Sequence, residues 1–467
     1  MLLKNLISDL KTNLGSIKIK GISCDSRTIK RGEVFVSIQG NKLDGTKFIK
    51  HAIKKGASAI IHSNKIKKNR KKIFIRVKNT RDILAKLSTE YFKKKPKNII
   101  AVTGTNGKTS ISDFFHQIFK IQNRNVGYIG TLGFKKNNFL KKRKLTTLDP
   151  ISLNKDLEEM KKNRIDNVII EASSHGLKQK RLNYLKIKAG IFTNLSHDHL
   201  DYHKSMADYF NSKLLLFKKI LKKNSVIITD TDIKQYKTLK KIKKKRNLKI
   251  YSIGTKGNIF KIIDHKIYQN YQLLKIIFNK KVYKLRINLY GSIQIKNLLM
   301  AIIASKVCGL KVNDIFKKIE KIRSVEGRLE LIRTLPNRSK VFIDFAHSPD
   351  ALENAILSLK EHFDKKITII FGCGGDRDKY KRKLMGDLAK KYCNKIYITD
   401  DNPRNENPKK IRKDIMKGIK GTSAIEIGDR KKAIILALKK SIPNEIILIA
   451  GKGHETYQDL GTKKIFL

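Results

Sequence analysis

Tryptophan is absent from these 467 residues, cysteine occurs four times, and acidic side chains are scarce, 40 Asp and Glu against 104 Lys and Arg. Cys24, Cys308, Cys373 and Cys393 lie far apart and form no CxxC pair. That spacing indicates neither a disulfide framework nor a cysteine zinc site and fits a reducing cytoplasm. A long apolar run is also missing near the start, where Met1 to Asn13 alternate Leu and Ile with Lys, Asp and Asn. Neither a signal peptide nor membrane insertion is expected, so the chain reads as soluble and cytoplasmic.

The shortage of acid leaves a formal charge of +64. Such an excess is the electrostatic footprint of a nucleic-acid binder, because clustered cations release phosphate counterions. Its distribution argues otherwise. Lysine is spread over the whole chain together with abundant Ile and Asn, the bias that an AT-rich coding sequence imposes on permissive surfaces. The runs Lys65 to Lys72 and Lys240 to Arg246 have no aromatic platform beside them and belong on a loop or helix surface. No nucleic-acid partner is expected.

What is present is a series of short apolar runs separated by helical stretches: Ile99 to Val102, Val168 to Ile170, Ile191 to Phe192, Val226 to Ile228, Val341 to Ile343, Ile367 to Phe371, Ile396 to Ile398 and Ile446 to Ala450. Runs of this kind suit strands buried on both faces of a parallel sheet, which makes the chain α/β. Open sheets of that class bind ligands beyond the carboxyl ends of their strands. The turns to watch are therefore those at Thr103, Glu171, Thr193-Asn194, Asp344, Gly372, Asp400-Asp401 and Gly451. At this length two or three domains are expected. Residues 1–93 read as a small domain without a phosphate loop, and the basic, proline-bearing link at Lys93-Lys94-Lys95-Pro96 marks its end. A second boundary is expected near Ser324 to Gly327, after a helical pattern running from Asn297 to Ile322.

The first of these strands runs into Thr103-Gly104-Thr105-Asn106-Gly107-Lys108-Thr109, followed by a helix-like stretch from Ser110 to Lys120. Glycines allow backbone N–H groups to close around phosphate oxygens, the helix start adds positive potential, and Lys108 supplies charge to the terminal phosphates. Thr109 would hold Mg²⁺, and the ligand expected is ATP. Val102 stands where the general phosphate-loop pattern has its first glycine. Glu171, after a buried strand, is either a magnesium ligand or a helix cap. The segment Asn194 to His203 is dense in acid/base and metal-capable residues, and reads equally as a site or as a loop of satisfied turns.

The order and spacing of these motifs resemble the Mur ligases, which add amino acids to the UDP-linked muramoyl peptide, and the resemblance covers nearly the whole chain. It implies three domains: a small α/β UDP-binding domain over residues 1–93, a central P-loop-type ATPase domain with a mostly parallel sheet over 94–325, and a C-terminal Rossmann-like domain over 326–467. In that family the lysine matching Lys213 is carbamylated, which turns an ammonium into a second oxygen ligand for magnesium beside Glu171 and His199. By itself Lys213 would be read as a surface residue. His197 and His203 are not carried over and read as structural.

The resemblance further implies that the UDP-sugar is held by Ser26, Thr146, Thr147, Ser173, Gln179 and Arg181, hydroxyl, amide and guanidinium donors suited to pyrophosphate and peptide oxygens. The loop Gly40 to Gly45 matches the uridine side, with Asn41 where many members have His. Nucleotide contacts are implied at Gly104, Thr105, Asn106, Gly107, Ser110, Asn297, Arg328, Asp344 and His347, with Gln294 where the family often has Asn. Lys108, Lys213 and Arg328 carry the catalytic roles. The turn Asp401-Asn402-Pro403-Arg404 marks members that add meso-diaminopimelate, joined by Arg377, Gly451 and Glu455. A distal carboxylate suits Arg404 and Arg377 and a distal ammonium suits Glu455, whereas a lysine substrate would leave an arginine unpaired. The glycines near Gly372 alone would be weak evidence for a dinucleotide.

The function implied is ATP-dependent ligation of meso-diaminopimelate to UDP-N-acetylmuramoyl-L-alanyl-D-glutamate, by a monomer. The alternatives are a lysine-adding or folylpolyglutamate-like ligase, and a nucleic-acid-dependent NTPase. Family members continue past the Gly-Lys-Gly-His-Glu motif for another strand and helix, so with Leu467 last a shortened C-terminal domain is expected.

Overall fold

A computed structural model describes residues 2–3, 18–40, 44–64, 73–137, 139–143, 145–421 and 424–466. Loop residues 41–43, with Asn41, and the Lys65 to Lys72 run lie outside the described residues. The chain divides into two compact units that interleave in sequence. One is Met1–Ala101 with Asn125–Gly190 and Ser212–Ser225; the other is Val102–Arg124 with Ile191–Asn211 and Val226–Leu467.

In the first unit β1 (Gly21–Ser23), β2 (Glu33–Val36), β3 (Ala59–His62) and β4 (Ile73–Arg76) form a parallel sheet in that order. Val34, Val36 and Ile61 pack on one face with Leu84 and Leu87 of the helix Thr80–Tyr91, while Phe35 and Ile60 meet Ile49 and Ala52 of the helix Ile49–Lys54 on the other. Successive residues of a strand thus enter opposite cores, which is why such a strand has no polar face. The unit also carries β5 (Asn98–Thr103), β6 (Gly127–Gly130), β7 (Gly133–Lys136), β8 (Phe139–Lys141) and β9 (Asn167–Glu171), in the order β5-β9-β6-β7-β8. The pair β6/β9 is parallel, and β7 and β8 extend it antiparallel.

The second unit contains β10 (Ala189–Phe192), β11 (Val226–Asp230), β12 (Lys249–Gly254), β13 (Phe260–Ile267), β14 (Gln272–Phe278) and β15 (Lys281–Ile287), ordered β15-β14-β13-β12-β11-β10. Strands β5 and β10 each begin in one unit and end in the other. From β13 to β15 the strands are an antiparallel meander, and β14 alternates buried with more exposed residues. The lysine run expected on a surface closes the helix Tyr236–Arg246, with Leu239 and Ile242 inward and Lys240, Lys241, Lys243, Lys244 and Lys245 exposed. The helical pattern from Asn297 to Ile322 is broken into Ser292–Val307, Val312–Phe316 and a 3₁₀ turn at Ile319–Lys321. The break falls at Gly309, whose φ of 102° leaves the helical region.

A further sheet in this unit comprises β16 (Glu330–Thr334), β17 (Lys340–Asp344), β18 (Ile367–Phe371), β19 (Lys395–Ile398), β20 (Ala424–Glu426) and β21 (Ile446–Ala450). Its order is β16-β17-β21-β18-β19-β20, parallel except for the edge strand β16. Helices Pro349–His362, Tyr380–Tyr392 and Pro408–Met416 supply Leu352, Ile356, Met385 and Ile411 to one apolar core, and Arg430–Lys439 supplies Ala433 and Ala437 to the other. A hairpin of β22 (Tyr457–Asp459) and β23 (Lys464–Phe466) follows. Leu448 of β21 is fully buried in the first of these cores. Leu448→Ala is expected to destabilise the chain by about 2–5 kcal/mol through lost burial and an unfilled cavity, read as a lower urea midpoint at unchanged slope.

Candidate active site

The phosphate loop is shaped by what its backbone must approach. Gly104 has a φ of 149°, and a Cβ there would lie 1.7 Å from Thr193 Oγ1. Only glycine allows the loop to close against the end of β10. Thr193 Oγ1 donates to Asn106 O (2.6 Å), Asn106 N–H donates to Asn194 Oδ1 (2.9 Å), and Ser196 N–H donates to Thr105 Oγ1 (3.0 Å). Asn106 Nδ2 donates to Asp350 Oδ2 at 2.8 Å. Gly107 precedes the helix Lys108–Ile121, whose start has no side-chain cap. Its first N–H groups are therefore directed at the loop, as an anion site requires. Lys108 Nζ donates to Gly104 O (3.0 Å) and Thr105 O (2.7 Å), so the lysine folds over the loop. Thr109 and Ser110 are buried in the first turn.

Other residues expected on the nucleotide side belong to the same unit. Asn297 is buried, donates to Gln294 Oε1 at 3.2 Å, and presents Oδ1 2.6 Å from where a Gly107 Cβ would stand. Arg328 Nη2 reaches Thr109 Oγ1 at 3.4 Å, and its guanidinium lies 4.4 Å from the Phe345 ring centre. Asp344 accepts Leu329 N–H and Ala346 N–H, both at 2.7 Å, so its carboxylate organises the turn bearing Arg328. Burial pushes that carboxyl upward, against Arg328 and the two amides.

Asp198 occupies a focal position that its sequence context did not single out. It accepts His199 N–H at 2.9 Å, and its Oδ2 lies 3.5 Å from His199 Nε2 and 3.8 Å from His347 Nε2. Burial opposes its charge, but His199, His347 and Lys381 outweigh that and hold the carboxyl below the usual range. His203 is buried against Tyr209, ring centres 5.1 Å apart, while His197 Nε2 pairs with Asp378 at 2.9 Å.

On the first unit Glu171 is wholly buried at the end of β9. It receives Tyr128 O–H (2.5 Å), Thr131 N–H (3.0 Å) and Thr131 Oγ1 (3.0 Å). The cap of the next helix, Ser174–Lys178, is Ser173, so Glu171 does not serve as one. Thr147 Oγ1 joins Glu171 O (2.7 Å) to Ser173 Oγ (3.0 Å), and Thr146 Oγ1 meets Thr131 Oγ1 at 3.2 Å. Arg181 donates to Thr147 O and to Gln179 Oε1, the latter at 2.7 Å. Thr146, Thr147, Ser173, Gln179 and Arg181 are thereby brought together, with Arg81 added by its 3.3 Å bond to Gln179. Ser26 is buried in a separate contact, 3.1 Å from His51 Nδ1. Lys213, on the helix Met206–Leu215, is 1% exposed rather than a surface lysine.

Past β18, β19 and β21 the second unit assembles a third group. Gly375 N–H donates to Asn402 O (2.9 Å) and Arg404 Nη1 donates to Gly375 O (2.6 Å), while a Cβ on Gly375 would lie 2.0 Å from Pro403 O. Arg404 N–H also donates to Asp459 O (3.0 Å), seating the terminal hairpin on the turn. Asn402 and Lys452 share Glu455 Oε2, at 3.0 and 3.3 Å. Burial lowers the Lys452 pKa, opposed by Asp401 and Glu455. Gly451 lies against Asp401 Oδ2, and Arg377 is exposed.

Three family descriptions match successive parts of the chain. They are the Mur ligase family catalytic domain over residues 18–92, the Mur ligase middle domain over 102–305, and the Mur ligase glutamate ligase domain over 327–453. A UDP-N-acetylmuramoyl-L-alanyl-D-glutamate–2,6-diaminopimelate ligase of Rickettsia montanensis is 39% identical over 463 residues, covering 98% of this chain and 95% of the relative. The chain belongs to the Mur ligase family. The same ligase of Rhizobium meliloti (strain 1021) is 35% identical, with 98% and 94% covered. A solved structure of a ligase of that name aligns at a TM-score of 0.72 and 29% identity, covering 100% of this chain and 96% of its own. The Thermotoga maritima MurF ligase, solved with ADP, shares the fold at 0.63 and 19% identity, covering 92% and 93%.

As a Mur ligase the chain has three domains of mixed α/β type, with mostly parallel sheets. Asp350 and Lys452 were not singled out although they stand beside named motif residues, and Asp198 was not separated from its polar segment. Arg81 gave no local signal, because its partner Gln179 is 98 positions away. Gly104→Ala is expected to weaken ATP binding by about tenfold or more through the Thr193 clash and the left-handed φ. Titration with a fluorescent ATP analogue measures it, with thermal unfolding as the control for folding.

Proposed function

We propose that this Mur ligase joins meso-2,6-diaminopimelate to UDP-N-acetylmuramoyl-L-alanyl-D-glutamate at the expense of ATP, as a cytoplasmic monomer supplying peptidoglycan precursor. The observation that carries the amine's identity is Arg404, held between Gly375 O and the Asp459 backbone beside the Asn402–Glu455 pair. A guanidinium so placed matches a distal carboxylate, and Glu455 matches an ammonium. Regions 1–93, 94–325 and 326–467 take the UDP end, ATP and the amino acid respectively.

In the reaction the γ-phosphoryl group of ATP passes to the D-glutamyl γ-carboxylate, releasing ADP. The diaminopimelate amine attacks the acyl carbon, the C–N bond forms, the C–O bond to phosphate breaks, and the amine loses a proton. The protein's part is positioning and neutralisation of phosphoryl oxygens. The loop Gly104 to Gly107 and the start of the following helix cradle the phosphates, and Lys108 and Arg328 bring positive charge. Asn297, Asp344 and His347 frame the nucleoside. Ser26, Thr146, Thr147, Ser173, Gln179 and Arg181 hold the UDP-sugar peptide.

Magnesium is assigned to Thr109, Glu171, His199 and carbamylated Lys213. The donor chemistry fits: Glu171 is a buried hard-oxygen donor fixed by Tyr128 and Thr131. Bound magnesium supplies charge neutralisation at the transferring phosphate. Carbamylation would replace the buried Lys213 ammonium by an oxygen donor.

ADP release with the UDP-dipeptide and meso-diaminopimelate tests the reading. Lys213→Ala is expected to lower kcat by about 10²–10³. Arg404→Ala is expected to lower kcat/KM for diaminopimelate by roughly 10- to 100-fold. Turnover with lysine but not diaminopimelate would overturn the substrate assignment, and an unaffected Arg404 variant would remove its basis.

A further inference from the structure

The two arginine-bearing loops of the amino-acid site are tied together from beneath by a third arginine. Arg382, on the helix Tyr380–Tyr392, is fully buried. Its Nη2 donates to both oxygens of Glu406, at 3.0 and 2.9 Å, and lies 3.4 Å from Gly374 O. Its Nη1 donates to Asp414 Oδ2 at 3.1 Å. Glu406, in the loop after β19, accepts Asp376 N–H at 2.6 Å, next to Arg377 in the loop after β18.

A buried ion pair is a poor source of net stability, since desolvation of the charges offsets their attraction and apolar replacement is often neutral. What this pair does provide is geometry. The planar guanidinium is anchored at two nitrogens, Nη2 bridging both Glu406 oxygens and Nη1 on Asp414, which fixes its distance and orientation to the Glu406 carboxylate. Here the carboxylate on one loop holds a backbone amide of the other.

We propose that Arg382, acting through Glu406, is a positioning residue that sets the spacing of Arg377 and Arg404, and with it the preference for an amino acid bearing a second carboxylate. This rests on the amino-acid reading of the Arg404 site. Arg382 is fully buried, so it acts through the loops it binds and not by its own contact with substrate.

The test is steady-state kinetics of Arg382→Met, Arg382→Lys, Glu406→Gln and Arg404→Ala, varying diaminopimelate, lysine, ATP and the UDP-dipeptide in turn, beside thermal unfolding. In Arg382→Met the KM for diaminopimelate should rise about 10- to 100-fold, as misplacement of substrate-aligning groups does, while KM for ATP and the UDP-dipeptide stays within about twofold. The diaminopimelate-to-lysine ratio of kcat/KM should fall, with Arg382→Lys and Glu406→Gln intermediate. An unchanged KM for diaminopimelate, or an equal rise for all substrates with a lowered Tm, overturns the proposal. If Arg382→Met does not fold, Glu406→Gln decides by the same criteria. If Arg404→Ala leaves diaminopimelate kinetics untouched, the site assignment fails and takes this proposal with it. A response in Arg404→Ala without one in Arg382→Met or Glu406→Gln overturns the positioning role alone.

Discussion

A parallel strand that stops leaves the polar backbone of its last residue and of the following turn without ladder partners, and a buried turn has little water to replace them. The candidate site is built on the solutions to that problem. Thr193 and Asn194 satisfy the phosphate loop, Asp344 takes the amides of Leu329 and Ala346, and Asn402 O takes Gly375 N–H. Each bond fixes a turn that also carries a group able to meet a ligand. Organisation of the backbone and placement of Lys108, Arg328 and Arg404 are therefore one arrangement, and disturbing the first displaces the second.

The scarcity of acid gives this arrangement its electrostatic character. With 40 carboxylates against 104 cationic side chains, many lysines have no ion-pair partner to find and remain in water. Several carboxylates sit where backbone amides or buried cations need them: Glu171 under Thr131, Asp198 between His199 and His347, and Glu406 between Arg382 and Asp376. The basic surplus is an outer property, as on the exposed side of the helix Tyr236–Arg246. The inner acids are positioned by hydrogen bonds, from Tyr128 and Thr131 to Glu171, from the His199 backbone to Asp198, and from Arg382 and the Asp376 backbone to Glu406.

The eight apolar runs all lie in strands, because residues buried on both faces leave no polar position to disguise them. The meander from β13 to β15 offers no such run for the opposite reason: its half-exposed strands alternate, and exposed Lys261, Lys266, Lys275 and Lys284 interrupt the apolar residues that face inward. The helix start at Lys108 was legible within two residues from the glycine-lysine-threonine order. The break at Gly309 inside the pattern from Asn297 to Ile322 was not, because apolar spacing continues across it while the backbone turns.

Local chemistry by itself determined the phosphate loop, the α/β class and the turns at strand ends, since each depends on neighbours in the chain: glycine for close approach, a cation at the helix start, apolar residues without interruption. Family order extended that to a ligase with named substrates. Tertiary structure decided what depends on distant partners. Lys213 belongs to the interior, Glu171 is held by Tyr128 and Thr131 instead of capping a helix, and Arg382 joins two loops. Burial and hydrogen bonding are set by residues tens to hundreds of positions away, and side chains of one type in similar local sequence differ only by where folding puts them.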